Sequence, residues 1–287
     1  MTDSFSFFFA FLIFIGFFFL SVKKGVLSIL SSGLAVASAM AVFFVGMKFV
    51  PDLAFQFAEI EIGWKKAVYF SGGAALFVFL VVRILGGFAL KSMLGPEGFL
   101  HSFVDGTSGG ILSLFPSFVI VILLFTCIRI SGTLHELNYA ASLSRDKVDQ
   151  MAEQIPSYPW TSAWRDSVED IPFMGPILDS FDPFSNRVNR NAGAFAIMNQ
   201  SSLIRSHLLS QPDSAKLAAS EKIIKVNQDP RVHEALKDHD RIKLVFTPAI
   251  REIAKDPELK PLLKRVQLQP ILKGHVKKLK SAGARPE

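Results

Sequence analysis

The sequence predicts an all-α membrane protein with four transmembrane helices followed by a small, mostly helical polar domain. Half of the 287 residues are hydrophobic, and most of the 28 phenylalanines lie in the first half of the chain. Charge has the opposite distribution, because residues 1–128 hold 7 Lys and Arg with 6 Asp and Glu, whereas residues 129–287 hold 24 and 19. An apolar half and a charged half are typical of a membrane region joined to a polar domain.

Four apolar runs precede Ser131, and each can cross a hydrocarbon core of about 30 Å at a rise of about 1.5 Å per residue. They comprise residues 5–22, 26–50, 67–90 and 106–130. The first run lacks the basic residues and the small-residue cleavage site of a secretory signal peptide, so we expect a retained helix. Pro51 is expected to end the second run, and Arg129 to close the fourth.

Glycines in these runs are the predicted points of helix packing. Small residues let helix backbones approach closely in lipid, where the hydrophobic effect between helices is absent. The second run is rich in Gly, Ala and Ser, and the third contains a short patch of small residues. The predicted packing glycines are Gly25, Gly33, Gly72, Gly73, Gly109 and Gly110.

Arg83 lies inside the third run, where a charged side chain costs a few kcal/mol on insertion scales. One interpretation is that the side chain extends to the membrane interface. The other is an intramembrane pair with Asp105, which precedes the fourth run in the position of a helix N-cap. Both interpretations remain open from the sequence.

Beyond Ser131 the pattern becomes polar and mostly helical. Residues 134–155 have the spacing of an amphipathic helix, and residues 171–183 have the composition of a proline-containing linker. Asp229-Pro230 and Asp256-Pro257 each place an N-cap residue before proline, which indicates a helix start. The predicted divisions are a transmembrane domain over 1–130, an amphipathic helix and linker over 131–184, a helical polar domain over 185–272 and a disordered basic tail over 273–287.

The aromatic residues Tyr158, Trp160 and Trp164 fit either a membrane interface or packing within the polar domain. Membrane orientation is weakly encoded. Lys23 and Lys24 in the first short loop favour a cytoplasmic loop, so four spans would return the C-terminal domain to the periplasmic side. The lysines that precede the third run favour the reverse orientation.

Several common catalytic and cofactor-binding motifs are absent from the sequence. The single cysteine, Cys127, excludes an internal disulfide, and the 6 histidines have no HExxH or CxxC partner. Neither a P-loop nor a G-x-S-x-G elbow is present. The net charge of +6 comes from interleaved acids and bases without an aromatic-plus-basic motif. We therefore predict no enzymatic activity, no cofactor or metal, and no nucleic-acid partner.

Three places in the first 130 residues resemble the CvpA family, the colicin V production proteins of bacterial inner membranes. Lys23-Lys24-Gly25 and the small-residue helix after it are similar to the Arg-Gly-Phe turn that follows the family's first helix. Arg83 matches a recurrent arginine late in helix three. Val104-Asp105 followed by Gly109 resembles the Leu-Asp-x-x-x-Gly start of helix four.

The chain also departs from the family pattern. The family's basic-acidic pair after the first turn falls on Ser28 and Ile29, and its second helix-four glycine falls on Ser113. The resemblance covers about residues 5–130, which leaves the polar region as an extension. It implies a multi-pass inner-membrane protein with a role in colicin V or toxin production or in maintenance of the cell envelope.

Two hypotheses about function follow. The first is a non-enzymatic scaffold in the lipid bilayer whose polar domain recruits membrane or envelope proteins. The second is an oligomeric channel or transport unit for an ion or small solute that uses Arg83 and Asp105. Four spans are few for a transporter monomer, so the second hypothesis requires a homo-oligomer.

Overall fold

A computed structural model describes residues 11–12, 15–16, 26–58, 63–94, 114–144, 157–182 and 186–283. Every regular element within these residues is helical, which confirms the all-α prediction for this part of the chain. The chain divides into two compact units, one of Met1–Ile128 with Asp166–Pro183 and one of Arg129–Arg165 with Phe184–Glu287. The predicted first span, residues 5–22, lies outside the described residues except at 11–12 and 15–16.

The first unit is built from long apolar helices. Helix α1 covers Val26–Ala58. Helix α2 (Trp64–Val81) continues through a π-helical turn (Val82–Gly86) into α3 (Gly87–Leu94). Helix α4 covers Leu114–Leu143, and its residues up to Ile128 belong to the first unit.

Three helices of the described chain are long and apolar enough to cross a membrane, namely Leu30–Pro51, Trp64–Met93 and Leu114–Leu143. In the helix Trp64–Met93, only 6 % of the most apolar 18-residue stretch is buried. Its exposed large side chains include Tyr69, Phe70, Leu76, Phe77, Leu80, Ile84, Leu85 and Phe88. Such a surface is unfavourable in water and is accommodated by lipid. These helices identify a multi-pass membrane protein.

Two predicted helix ends in this region are wrong. Helix α1 continues through Pro51 to Ala58. A proline removes one backbone hydrogen bond, but in lipid the helix remains the conformation that satisfies the other backbone groups. Helix α4 does not close at Arg129, because the next fourteen residues contain no proline and place Leu137 and Ala140 in a buried core. The predicted separate helix that starts at residue 134 therefore begins as part of α4.

The second unit begins with the part of α4 from Arg129 onward. It also includes the part of α5 (Trp160–Glu169) up to Arg165. A series of short helices follows: α7 Arg187–Met198, α8 Ser202–Leu209, α9 Pro212–Ala218, α10 Glu221–Gln228, α11 Pro230–Lys237, α12 Arg241–Phe246, α13 Pro248–Lys255, α14 Leu259–Arg265 and α15 Leu268–Gly283. The remaining helix, α6 (Met174–Phe181), belongs to the first unit.

Helix α7 forms the centre of the second unit. Its residues from Arg190 to Met198 are all buried, and α12, α13 and α14 pack against it. Asn186 starts the helix, since its side chain accepts a hydrogen bond from the backbone N–H of Asn189 at 2.8 Å. Asn191 donates from Nδ2 to the carbonyl oxygens of Leu263 and Val266, at 2.6 and 2.9 Å. The central helix thereby satisfies carbonyl groups at the C-terminal end of α14.

Aspartate caps position several of the surrounding helices. The side chain of Asp229 accepts from the N–H of Arg231 at 2.8 Å, which confirms the predicted start of α11. Asp256 accepts from the N–H groups of Glu258 and Leu259, at 2.9 and 3.1 Å, and α14 begins at Leu259 rather than directly after Asp256. Capping of this type satisfies backbone donors that have no partner within the helix.

Two further predictions from composition are wrong. Residues 171–183 contain helix α6 rather than an irregular linker, because Pro176 lies in the first turn, where its missing N–H costs no helical hydrogen bond. The tail predicted to be disordered is helical to Gly283. Leu272 and His275 are buried at helical spacing there, so one side of α15 belongs to the core.

Candidate functional site

Arg83 lies in the π-helical turn between α2 and α3, with an exposed side chain. Its Nη1 donates a hydrogen bond to Ser32 Oγ on α1. Short π-helical stretches often occur at functional positions. Asp105 lies outside the described residues, so the Arg83–Asp105 pair stays a prediction.

The predicted packing glycines differ in how closely a neighbouring helix approaches them. A Cβ atom built on Gly33 would overlap the Cβ of Pro116, so α1 and α4 approach closely at this glycine. Gly72 and Gly73, in contrast, have no atom within 4 Å of such a Cβ. Gly25, Gly109 and Gly110 lie outside the described residues.

A close approach that the sequence did not single out joins α1 and α2. A Cβ on Gly46 would lie 2.7 Å from the Oγ and 3.0 Å from the Cβ of Ser71, which is 1 % exposed. A glycine facing a small residue is the usual pattern at helix contacts in membranes. The signal was present in the sequence as a small residue in each of two neighbouring runs.

The second unit contains a buried ionic cluster, which we call the Glu136 cluster and which consists of Glu136, Tyr158, Arg165 and Arg190. Arg165 Nη1 donates to Glu136 Oε2 at 2.8 Å, and Tyr158 Oη donates to Glu136 Oε1 at 2.6 Å. Arg190 Nε lies 3.5 Å from Oε2. The side chains of Glu136 and Arg165 are only 2 % and 1 % exposed.

The cluster forms because α4 and α5 approach closely beside it. A Cβ on Gly132 would lie 2.7 Å from the carbonyl oxygen of Thr161 and 2.8 Å from Arg165 Cβ. Ser162 Oγ donates to the Gly132 carbonyl oxygen at 2.8 Å. Only glycine permits this distance, which brings the guanidinium of Arg165 to Glu136.

The Glu136 cluster holds helices together and leaves no free oxygen on the carboxylate. Both carboxylate oxygens of Glu136 already have donors, and the two arginines come from α5 and α7. Tyr158 also packs edge-on against Tyr139, with ring centroids 5.6 Å apart, which favours the packing interpretation of this tyrosine. Among the described residues, no group of three or more His, Cys, Asp or Glu could hold a metal ion.

Some exposed charges of the second unit form ion pairs on the surface. Lys222 Nζ lies 2.6 Å from Asp256 Oδ2, and Lys243 Nζ lies 2.9 Å from Glu234 Oε1. The hydrogen bond raises the pKa of Lys222 and lowers the pKa of Asp256 from their ordinary values. Burial, followed by the nearby charge of Lys278, lowers the pKa of His207. The Lys222–Asp256 and Lys243–Glu234 ion pairs are screened by solvent and contribute little stability individually.

Sequence reasoning missed the Glu136 cluster. The one available signal was a lone carboxylate beside Leu137, one turn before the apolar Ala140, on a helix with an apolar face. Its partners come from residues 22 to 54 positions further along the chain, and only the tertiary structure brings them together.

Comparison with protein-family models, with curated proteins and with solved structures finds no match for this chain.

We expect Gly33→Val to destabilise the protein, because the added side chain meets Pro116. Overpacking of this kind costs about 1–3 kcal/mol. The matched control is Gly72→Val, which adds the same side chain at an open position. The measurement is the thermal unfolding midpoint of the full chain in detergent. Equal midpoints for the two variants would contradict the close helix contact.

We expect Glu136→Gln to destabilise the protein by about 3 kcal/mol, because two buried guanidiniums lose their counter-charge. The unfolding midpoint in detergent, followed by tryptophan fluorescence, should fall by about 10 °C. Glu252→Gln, on the exposed surface of α13, is the control and should leave the midpoint unchanged. A midpoint for Glu136→Gln equal to that control would show that the cluster does not stabilise the unit.

Proposed function

We propose that the chain is a non-enzymatic, multi-pass protein of the bacterial inner membrane, of the CvpA type, that serves as a scaffold for partner proteins. The resemblance of the first 130 residues implies a role in colicin V or toxin production or in envelope maintenance. The three apolar helices support the membrane part of this proposal. The second unit supplies the surface on which partners would assemble.

The observation that carries the proposal is the composition of α4. Its N-terminal part is apolar enough to cross a membrane, and its residues after Arg129 include core positions of the second unit, Leu137 and Ala140 among them. One continuous helix thus joins a span to a folded unit. A scaffold requires such an anchored unit.

The buried groups of the second unit support a binding role over a catalytic one. Glu136 accepts hydrogen bonds from Tyr158 and Arg165 and is ion-paired with Arg190, and the centre of the unit is filled by the side chains of α7. Partner contacts would therefore use the outer surface. Two exposed apolar residues, Leu209 on α8 and Ile224 on α10, are the positions we propose for them.

An oligomeric channel or transport unit is the second proposal. It is favoured by Arg83, whose cationic side chain lies within an apolar helix at a π-helical turn and hydrogen-bonds Ser32 on the neighbouring helix. Asp105 would be its acidic partner. This alternative predicts flux of an ion or solute through the reconstituted protein.

Partner recruitment is tested with Ile224→Asp. Full chain purified after cross-linking in its native membrane should carry a stoichiometric partner protein, and this variant should reduce the recovered partner at least tenfold, roughly the effect of one interface hot spot. Gln228→Asp adds the same charge to an exposed position of the same helix and should retain the partner. Recovery of the chain alone would contradict the scaffold, and flux abolished by Arg83→Leu would support the channel instead.

Membrane orientation is tested with reporter fusions after Lys91 and at the C-terminus. We expect the first reporter in the cytoplasm and the second in the periplasm, because α4 would lie between them as a single crossing. A fluorescent protein active in the cytoplasm and a phosphatase active in the periplasm distinguish the sides. A cytoplasmic C-terminus would reverse the proposed orientation, and two reporters on one side would show that α4 does not cross.

A further inference from the structure

The last two helices carry exposed charges of one sign. Residues 259–286 contain lysine and arginine but no aspartate or glutamate. Six of these cations are exposed, and we call them together the basic surface: Lys260, Lys264 and Arg265 on α14, and Lys273, Lys277 and Lys278 on α15.

Charge pairing on the surface of the second unit is uneven. Some exposed cations have carboxylate partners, as Lys222 has Asp256, Arg231 has Asp229 and Lys243 has Glu234. In the part of the chain that the structure describes, none of the six cations of the basic surface takes part in an ion pair. The ammonium group of Lys273 lies 5.6 Å from the centre of the Tyr158 ring.

The orientation of these lysines is fixed by the core. Leu268, Leu272 and His275 are buried on one side of α15, so the helix cannot rotate to separate the charges on the other side. Lys273 and Lys277 are four residues apart, as are Lys260 and Lys264, and like charges at this spacing repel each other on a helix. A polyanion bound there would relieve this repulsion.

We propose that the basic surface binds the anionic headgroups of a phospholipid membrane. The apolar helices of the same chain enter a bilayer, which places lipid headgroups at high local concentration around the second unit. Each lysine near an anionic membrane surface strengthens binding about fivefold. Nucleic acid is the weaker match, because residues 259–283 offer no exposed aromatic side chain on which a base could stack. This inference requires membrane insertion but is independent of partner recruitment.

The test uses the full chain in lipid nanodiscs. Cys127→Ala removes the single native thiol, and Ser281→Cys then places a fluorophore on the exposed side of α15. Its quenching by acrylamide, a neutral quencher, is compared in discs of phosphatidylcholine and in discs with about half phosphatidylglycerol. The control label is Gln228→Cys on α10, whose helix carries paired and mixed charges.

We expect protection from quenching at position 281 in anionic discs but not in zwitterionic discs, and no difference at position 228. The protection should disappear at about 0.5 M salt, where charges are screened within about 4–5 Å. Lys277→Gln with Lys278→Gln should weaken docking about 25-fold, at about fivefold per lysine. Lys216→Gln with Lys225→Gln, which removes the same charge from other exposed sites, should leave docking unchanged.

Three results would overturn the proposal. The first is equal quenching at position 281 in the two kinds of disc. Another is an equal loss of protection in the two double variants, which would show an effect of net charge alone. The last is protection that single-stranded RNA produces in zwitterionic discs and anionic lipid does not, which would assign the basic surface to nucleic acid. Loss of lipid docking with partner recovery intact would leave the scaffold proposal standing.

Discussion

The second unit depends on the buried carboxylate of Glu136. Removing a carboxylate and two guanidiniums from water costs several kcal/mol per ion, and only close and complete pairing offsets that cost. The hydrogen bonds from Arg165 and Tyr158, with Arg190 nearby, provide this pairing. Because the donors come from α5, α7 and the segment between α4 and α5, the cluster specifies which helices meet α4. An apolar core alone would tolerate alternative arrangements more readily.

The first unit obeys a different constraint, that of a backbone in lipid. Without water, backbone N–H and C=O groups must be satisfied inside the helix, so long uninterrupted helices are favoured even across Pro51. Contact between helices then depends on shape rather than on charge. The fit of Gly33 against Pro116 and of Gly46 against Ser71 illustrates it. Specific packing thus depends on a buried ionic cluster in the second unit and on close contacts at glycines in the first.

Which features could be predicted from the sequence follows from the range of each interaction. Apolar length predicts the spans in the described region, and the local capping pattern of Asp229 predicts the start of α11, since both depend on neighbouring residues. The end of α4 and the Glu136 cluster depend on residues distant in the chain and could not be predicted. A glycine is ambiguous for the same reason, since Gly33 and Gly72 look alike in sequence and only the opposing helix distinguishes them.

Helix α15 shows how one misjudged element can conceal a surface. Composition alone, with many lysines, two glycines and a serine, is typical of a disordered tail. The buried positions Leu272 and His275 instead order the helix and thereby fix its charged side. An ordered row of lysines has a higher local charge density than a disordered tail of the same composition, and its binding needs no loss of backbone entropy. The core contacts of α15 are therefore what convert a basic sequence into a preorganised electrostatic surface.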